Sequence, residues 1–532
     1  MSGTVPARPS RDRPLGETPG TNGTRDGVPR DVLDLRLVPA ALACWTGAAL
    51  ATAGPADLAR PAATSALGTV LLLGVVPVRG RRYRGRPQVR AAAALALAVL
   101  ALALLGGAVQ RELRSAGLLG TALHEGATVT VTGTVTDAPR AVDARWTHDD
   151  PEQRYSLAVH WVESHGRRSG AAASVVVIGP GEVPRGATVQ VTGRFASSSG
   201  EGPGRAVGTL AAGAPARLVR GPGWGDRAAE SVRAATRLVA ARLPADPGSL
   251  LLGMALGDSS QVPDDLSEAM RGAGLTHLVA VSGSHFALVG ALVAGAAAAC
   301  RLPRAARAAA VIVVGAALLL VVGPQPSVVR AAVTGTVGLL GLLAGRPARA
   351  PAALALTVIA LLLVDPWLSL EIGFVLSVVA TAAIVLLGGA WVRRWSPRCG
   401  RPLATVVAVP LAAQLACAPV LLVLRPSVGT YALLANIAVA PAVPPATILG
   451  VLTAVVAPWC PSAALVLAHL AGAACWWVAT VARVASAAPG AQLAWAPGAG
   501  GIVALVAVSV AVASLLLVRR DRRRAPARRG GG

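Results

Sequence analysis

The chain has 532 residues, of which 54% are hydrophobic and only 14% charged, and its mean hydropathy is +0.59. A soluble domain of this length carries about a quarter charged residues, so composition excludes a soluble enzyme or binding module and points to a polytopic membrane protein. The net charge is +23, and all 49 basic residues are Arg. A charge of that size suits nucleic acid or anionic lipid as a partner; Arg also marks the cytoplasmic loops of membrane proteins.

The N-terminal tail, 1–36, is polar and rich in Pro and Gly, with no apolar core of a signal peptide, and is expected to be a disordered cytoplasmic tail. The next segment, 37–110, holds apolar runs at 37–53, 57–78 and 91–110, each near the ~20 residues that cross a bilayer. The Arg-dense loop between the second and third stays inside. Everything directly after the third span is then outside.

Segment 111–225 changes character. Four stretches alternate apolar with polar or small residues between Gly, Pro and Asp: 127–139, 154–163, 172–180 and 187–196, with a last strand expected within 207–219. That pattern suits a small barrel or sandwich outside the membrane, and an OB-like fold is the natural candidate. Segment 226–246 is amphipathic at helical period, with Arg227, Arg233, Arg237 and Arg242 among small and apolar residues. It reads as an interfacial helix on the membrane or as an ordinary packed helix.

Segment 247–518 is a succession of apolar runs, with Arg-rich loops at 301–307, 346–349 and 393–401 and a basic tail at 519–532. Counting crossings from an outside β domain puts all four inside. The fold class is therefore a polytopic α-helical membrane protein of about twelve spans, carrying an inserted extracytoplasmic all-β domain. Both termini are cytoplasmic, and 247–257 could be re-entrant. Breaks such as GPQPS (323–327) and APAVPPA (440–446) belong where helices line a cavity or pack in protein.

Polar residues inside these runs are the functional candidates. A Gly-Asp-Ser-Ser turn places Asp258 where it can cap the following segment. His277, Ser282, Gly283, Ser284 and His285 come at the mouth of an apolar run, where imidazoles and hydroxyls are costly unless they line protein or water. On one continuous helix the two His lie about two turns apart, too far to chelate one metal. The six Cys are not at metal-ligand spacing either, so no metal or cofactor is expected.

GLTHLVAVSGSHFALVG (274–290) resembles the signature of the ComEC-type competence family. GPQPSVVRAAV (323–333) is similar to its Pro-Ser-x-x-Arg-Ala segment. DPWLSLEIGFVLSVVATAAI (365–384), with Asp365, Glu371, Phe374 and Ser377, resembles its Gly-Phe-x-Leu-Ser segment. Residues 412–443, with Gln414 and Asn436, resemble its Gln … Leu-Ala-Asn … Pro segment. Ser284 stands where Leu is usual, and Val375 where Gln is usual.

The resemblance implies an inner-membrane channel that passes single-stranded DNA into the cytoplasm during natural transformation. It implies an OB-like external domain, a DNA-receptor protein outside and an ATPase or helicase inside, since the chain has no Walker loop of its own. Many members add a metallo-β-lactamase-like domain with a His-x-His-x-Asp-His cluster. This sequence holds no such cluster, so a channel and not an enzyme is expected, with any nuclease a separate subunit.

On this reading Arg330 meets phosphate as a planar fork, with His277 and His285 beside the path. Snorkelling of Arg330 to the interface is the plain alternative. Asp365 and Glu371 would pair with Arg330 or gate it by repulsion. Gln414 and Asn436 could bond between helices. In the external domain Trp146, Tyr155 and Trp161 are stacking candidates for bases.

Two other classes remain. A secondary transporter would couple ions through Asp365, Glu371 and His285. An intramembrane hydrolase would use Ser282-Gly283 with His285, although Ala280 replaces the first Gly of the Gly-x-Ser-Gly pattern.

Overall fold

The computed structural model describes residues 34–54, 61–65, 68–69, 86–142, 152–196, 206–279, 283–323, 326–343 and 350–517. Helix α1 (Val38–Ala53) packs along α2 (Arg86–Ser115). Their backbones approach at Gly47, where an added Cβ would lie 3.0 Å from Leu100. Small residues permit that approach between apolar helices. Of the run expected at 57–78, most lies outside the described residues.

A short helix, α3 (Gly117–Glu125), leads into the β domain. Its strands are β1 (Thr128–Val135), β2 (Arg140–Val142), β3 (Glu152–Ser164), β4 (Arg167–Pro180), β5 (Thr188–Ala196), β6 (Ala206–Ala212) and β7 (Arg217–Arg220). In β1 the alternation TVTVTGTV turns Val129, Val131 and Val135 into the core and the threonines outward. Strand β3 pairs with β1 and β4, β4 runs parallel to β6, and β6 pairs with β5, which returns to β1. The path β1-β3-β4-β6-β5 therefore closes into a five-stranded ring that leaves β2 and β7 at its margins.

Closure depends on glycine at two crowded points. A Cβ on Gly133, at a bulge in β1, would collide with the Ala158 carbonyl, and one on Gly193 with the Ala211 carbonyl. The β3–β4 hairpin turns on His165 (φ 49°) and Gly166 (φ 71°), the left-handed pair of a two-residue turn that matches strand twist.

Beyond the barrel come α4 (Trp224–Ala240), α5 (Ala245–Leu256) and α6 (Asp264–Gly272). The bundle continues with α7 (Gly283–Ala299), α8 (Arg304–Val322), α9 (Pro326–Leu343) and α10 (Ala350–Val364). Next are α11 (Ile372–Cys399), α12 (Arg401–Leu421), α13 (Ala432–Val439), α14 (Val443–Val456), α15 (Pro461–Ala487) and α16 (Gly498–Leu517). A small ribbon, β8 (Ser427–Gly429) against β9 (Gln492–Ala494), joins two loops at one end.

Among the described residues six helices are long and apolar enough to cross a membrane: the Arg90–Arg114 part of α2, and α8, α11, α12, α15 and α16. The α13–α14 pair, bent by 56° in the APAVPPA stretch, makes a seventh if it is one broken span. Four shorter apolar helices lie at Val38–Ala53, His285–Ala299, Val328–Val337 and Ala350–Val364. Helix α5 is buried at every position from Pro247 to Leu256, and its twelve residues are too few to cross. It packs instead against α14 and α15.

The continuous helix considered for His277 and His285 does not form: Thr276–Leu278 make a 3₁₀ turn, and His285 belongs to α7. In α4 the arginines differ in burial. Arg233 is buried and Arg237 partly so, while Trp224 and Leu238 are exposed.

Gly133→Ala is expected to weaken the barrel by about 2 kcal/mol or more, because the methyl has only backbone to displace. Protease cleavage within 128–220 of the full chain should accelerate, while the bundle fragments stay resistant.

Candidate functional site

Three of the four sequence motifs meet at one buried cation. Arg330 sits in the second turn of α9 and is 5% exposed. Its Nε donates to Ser377 Oγ of α11 at 2.9 Å. Its Nη2 lies 3.5 Å from where a Gly283 Cβ would stand at the start of α7. No carboxylate among the described residues pairs with the guanidinium. Among the described residues Arg330 pairs with neither Asp365 nor Glu371, which stand at the junction between α10 and α11. Asp365 accepts from the Trp367 amide at 3.2 Å and caps the 3₁₀ turn Pro366–Leu370, and Glu371 occupies the N-cap position of α11.

The fourth motif closes on the first elsewhere. Asn436 Nδ2 donates to the Ala432 carbonyl at 2.8 Å and to the Gly274 carbonyl at 3.4 Å. His277 also hydrogen-bonds the Gly274 backbone. Gly274 has φ of +69°, and a Cβ there would sit 2.8 Å from that of Ala432, so only glycine fits this corner. His277 and His285 therefore belong to different elements, and the two-turn helical spacing does not apply. His285 is buried on α7. Ser282 lies outside the described residues, as does Trp146. Phe374 is a core residue, its ring 5.4 Å from that of Trp45. Gln414 is half-buried on α12 and makes no hydrogen bond among the described residues.

In the barrel one stacking candidate falls away. Tyr155 is buried with Leu157 and Val159, and burial pushes its phenol up to about 12. Its ring is a core ring. Trp161 is exposed, with the Arg168 guanidinium 4.5 Å from its ring centroid, an arrangement that attracts cation to ring.

Sequence reasoning missed the polar seam between barrel and bundle. Arg233 donates to the Val321 and Leu320 carbonyls at 2.7 and 2.9 Å, satisfying the end of α8, and pairs with Glu230 at 2.9 Å. Arg185, from the β4–β5 loop, donates to the Thr136 carbonyl at 3.1 Å and lies against Gly323. Arg237 bridges Glu230 and Asp258 at 2.9 and 3.0 Å. Asp258 also takes the Ser260 amide and hydroxyl. Burial alone would raise its pKa, but the bonds from Ser260 and Arg237 outweigh that and hold it below the usual carboxylate range. Across the bundle Arg483 grips both Asp246 oxygens at 2.9 and 3.1 Å and Asp265 at 2.8 Å. Polar residues at the ends of apolar runs were the available signal.

Apolar helices that bury a guanidinium, joined to a β barrel through arginine-capped helix ends, define a membrane protein that carries a β domain. The Competence protein family matches residues 254–521, half of the chain, and the chain belongs to that family. It is also 30% identical over 183 residues to ComE operon protein 3 of Bacillus subtilis (strain 168). That stretch is 34% of this chain and 23% of the relative, so the match spans under a quarter of the relative's length. No solved structure matches.

A carboxyl held low in the folded state stabilises fully above pH ~4 and loses that contribution as pH falls through its folded value. Asp258→Asn should therefore lower stability by about 1–2 kcal/mol at neutral pH. The melting difference from wild type should close below about pH 4, where wild type also loses the charge.

Proposed function

We propose that the protein passes single-stranded DNA across the plasma membrane into the cytoplasm during natural transformation. The observation that carries this is Arg330, a buried guanidinium without a described carboxylate, placed where three motif segments of a competence-family bundle meet. A polyanion supplies the missing counter-charge, and Arg meets phosphate as a bidentate fork.

The twelve-span topology draws support from both sequence and contacts. Seven spans counting the bent pair, four shorter apolar helices and the run at 57–78 reach that number. The barrel touches Gly117 and Gly323, the two helix ends that the Arg-loop count puts outside. An OB-like assignment of the barrel draws support from its closed five-strand ring with one parallel pair. Exposed Trp161 beside Arg168 would receive bases there. The strand would then pass to Arg330 and on to an ATPase or helicase inside. A DNA receptor outside and a nuclease acting in trans complete the set of partners.

The test is a strain deleted for this gene and given fluorescent double-stranded DNA, with copies restored one at a time. Wild type should return cytoplasmic DNA and transformants. Arg330→Ala should cut both by about a hundredfold with surface DNA intact, the order expected when one side of a buried charge contact is removed. Unchanged DNA uptake without the gene sinks the proposal. Loss in Asp365→Asn and Glu371→Gln, with Arg330→Ala active, would replace it with an ion-coupled carrier.

A further inference from the structure

The hairpin between α11 and α12 carries exposed cations with no carboxylate near them in the chain. Between Glu371 and Asp521 the sequence holds no Asp or Glu, yet Arg393, Arg398 and Arg401 crowd this one corner. All three are exposed. Among the described residues Arg398 donates only to the Arg394 carbonyl, at a long 3.4 Å, and Arg401 has no side-chain bond. The backbone turns from one helix to the next on Gly400 alone, at φ 79°, so Arg398 and Arg401 flank a single tight corner.

Behind that corner lies an aromatic floor. Trp391, Trp395 and Arg398 stand at i, i+4 and i+7 and share one face of α11. Trp391 is fully buried, packed with Ala408 of α12 and Ala513 of α16. Trp395 is half-buried and stacks on it, with centroids 5.8 Å apart and planes 7° from parallel. The face thus grades from sealed core through half-open indole to exposed guanidinium. Leu403, in the same first turn of α12 as Arg401, is 55% exposed. Trp, Arg and an exposed Leu together at the ends of two spans fit the boundary between acyl chains and headgroups. The Arg-loop count puts this end inside, on the leaflet whose anionic lipids attract basic side chains.

We infer that this corner is a binding site for an anionic phospholipid, with Arg398 and Arg401 on the headgroup phosphate above Trp395 and Leu403 against the acyl chain. The inference does not depend on the passage of DNA proposed above. Two guanidiniums across a glycine turn can share one phosphate, and no carboxylate in either helix end competes for them. A nucleic acid strand would use the arginines and leave Leu403 in water, so lipid is the better fit.

The experiment uses the full chain purified in detergent, with phosphatidylglycerol and phosphatidylcholine as probes, read by native mass spectrometry and melting temperature. Wild type should retain phosphatidylglycerol and melt higher in its presence, and phosphatidylcholine should do neither. Arg398→Ala combined with Arg401→Ala should weaken phosphatidylglycerol binding about thirtyfold, each basic residue at an anionic headgroup being worth about fivefold. The rise in melting should vanish with it. Arg304→Ala combined with Arg393→Ala removes the same charge from exposed positions outside this face and should bind as wild type does. Melting without lipid reports folding; if the alanine pair melts early, the glutamine pair replaces it.

Equal loss in the two pairs overturns the site and leaves only net charge. Undiminished binding by the Arg398, Arg401 pair overturns it outright. A melting rise with phosphatidylcholine equal to that with phosphatidylglycerol removes the phosphate recognition. If the Arg398, Arg401 pair keeps phosphatidylglycerol and loses a fluorescent oligothymidylate instead, the corner is a nucleic-acid contact and the lipid assignment fails.

Discussion

A helix that stops inside or at the edge of an apolar bundle leaves carbonyls that no apolar neighbour can satisfy, and this protein meets that constraint with arginine. Arg233 takes the last carbonyls of α8. Arg111 takes those of Ala51 and Gly54 at the end of α1. Arg307 folds back on Leu302. Arginines also join separate elements: Arg233 ties α4 to α8, and Arg185 lays the barrel against Gly323 at the corner where α8 ends. A cation at a helix C-terminus also offsets the dipole there. Position of the barrel over the bundle thus follows from how helix ends are closed.

Against that background Arg330 is the exception. At the seam the buried Arg233 has carbonyls and a carboxylate, and the partly buried Arg237 has two carboxylates. Arg483, at the far side, has two carboxylates. Arg330 has one hydroxyl and lies beside Gly283. A snorkelling arginine would run its head to the interface and be exposed; this one is enclosed by α7, α9 and α11. Structural use of arginine is common in this chain, and Arg330 does not fit it.

Much of the architecture was legible because each signal is local. Apolar length marked the helices, Gly and Pro marked the break between α13 and α14, and period-two alternation marked four of the barrel strands. Tyr155 could have been assigned to the core on the same signal, since it shares parity with Leu157 and Val159. Trp161 shares that parity too, yet it is exposed, because the bulge between Val159 and Trp161 shifts the register and turns Val162 inward instead. What stayed hidden was non-local. Ser377 is 47 residues from Arg330, and nothing in either segment alone names the other. The separation of His277 from His285 likewise depends on Gly274 docking against Ala432, a contact no helical period reports.

The use of a single fixed charge suits the proposed transport. Guanidinium does not titrate in the physiological range, so release cannot come from losing the charge. A path for a polyanion must bind each phosphate well enough to admit it and weakly enough to let it go. A row of arginines would hold many phosphates at once and retain the strand. One buried arginine holds one. Because successive phosphates are chemically identical, exchanging one for the next is nearly isoenergetic, and a single arginine favours neither direction. On the proposed reading direction must then come from a partner that draws the strand from inside, and the bundle needs only to keep the apolar interior from rejecting each phosphate as it passes.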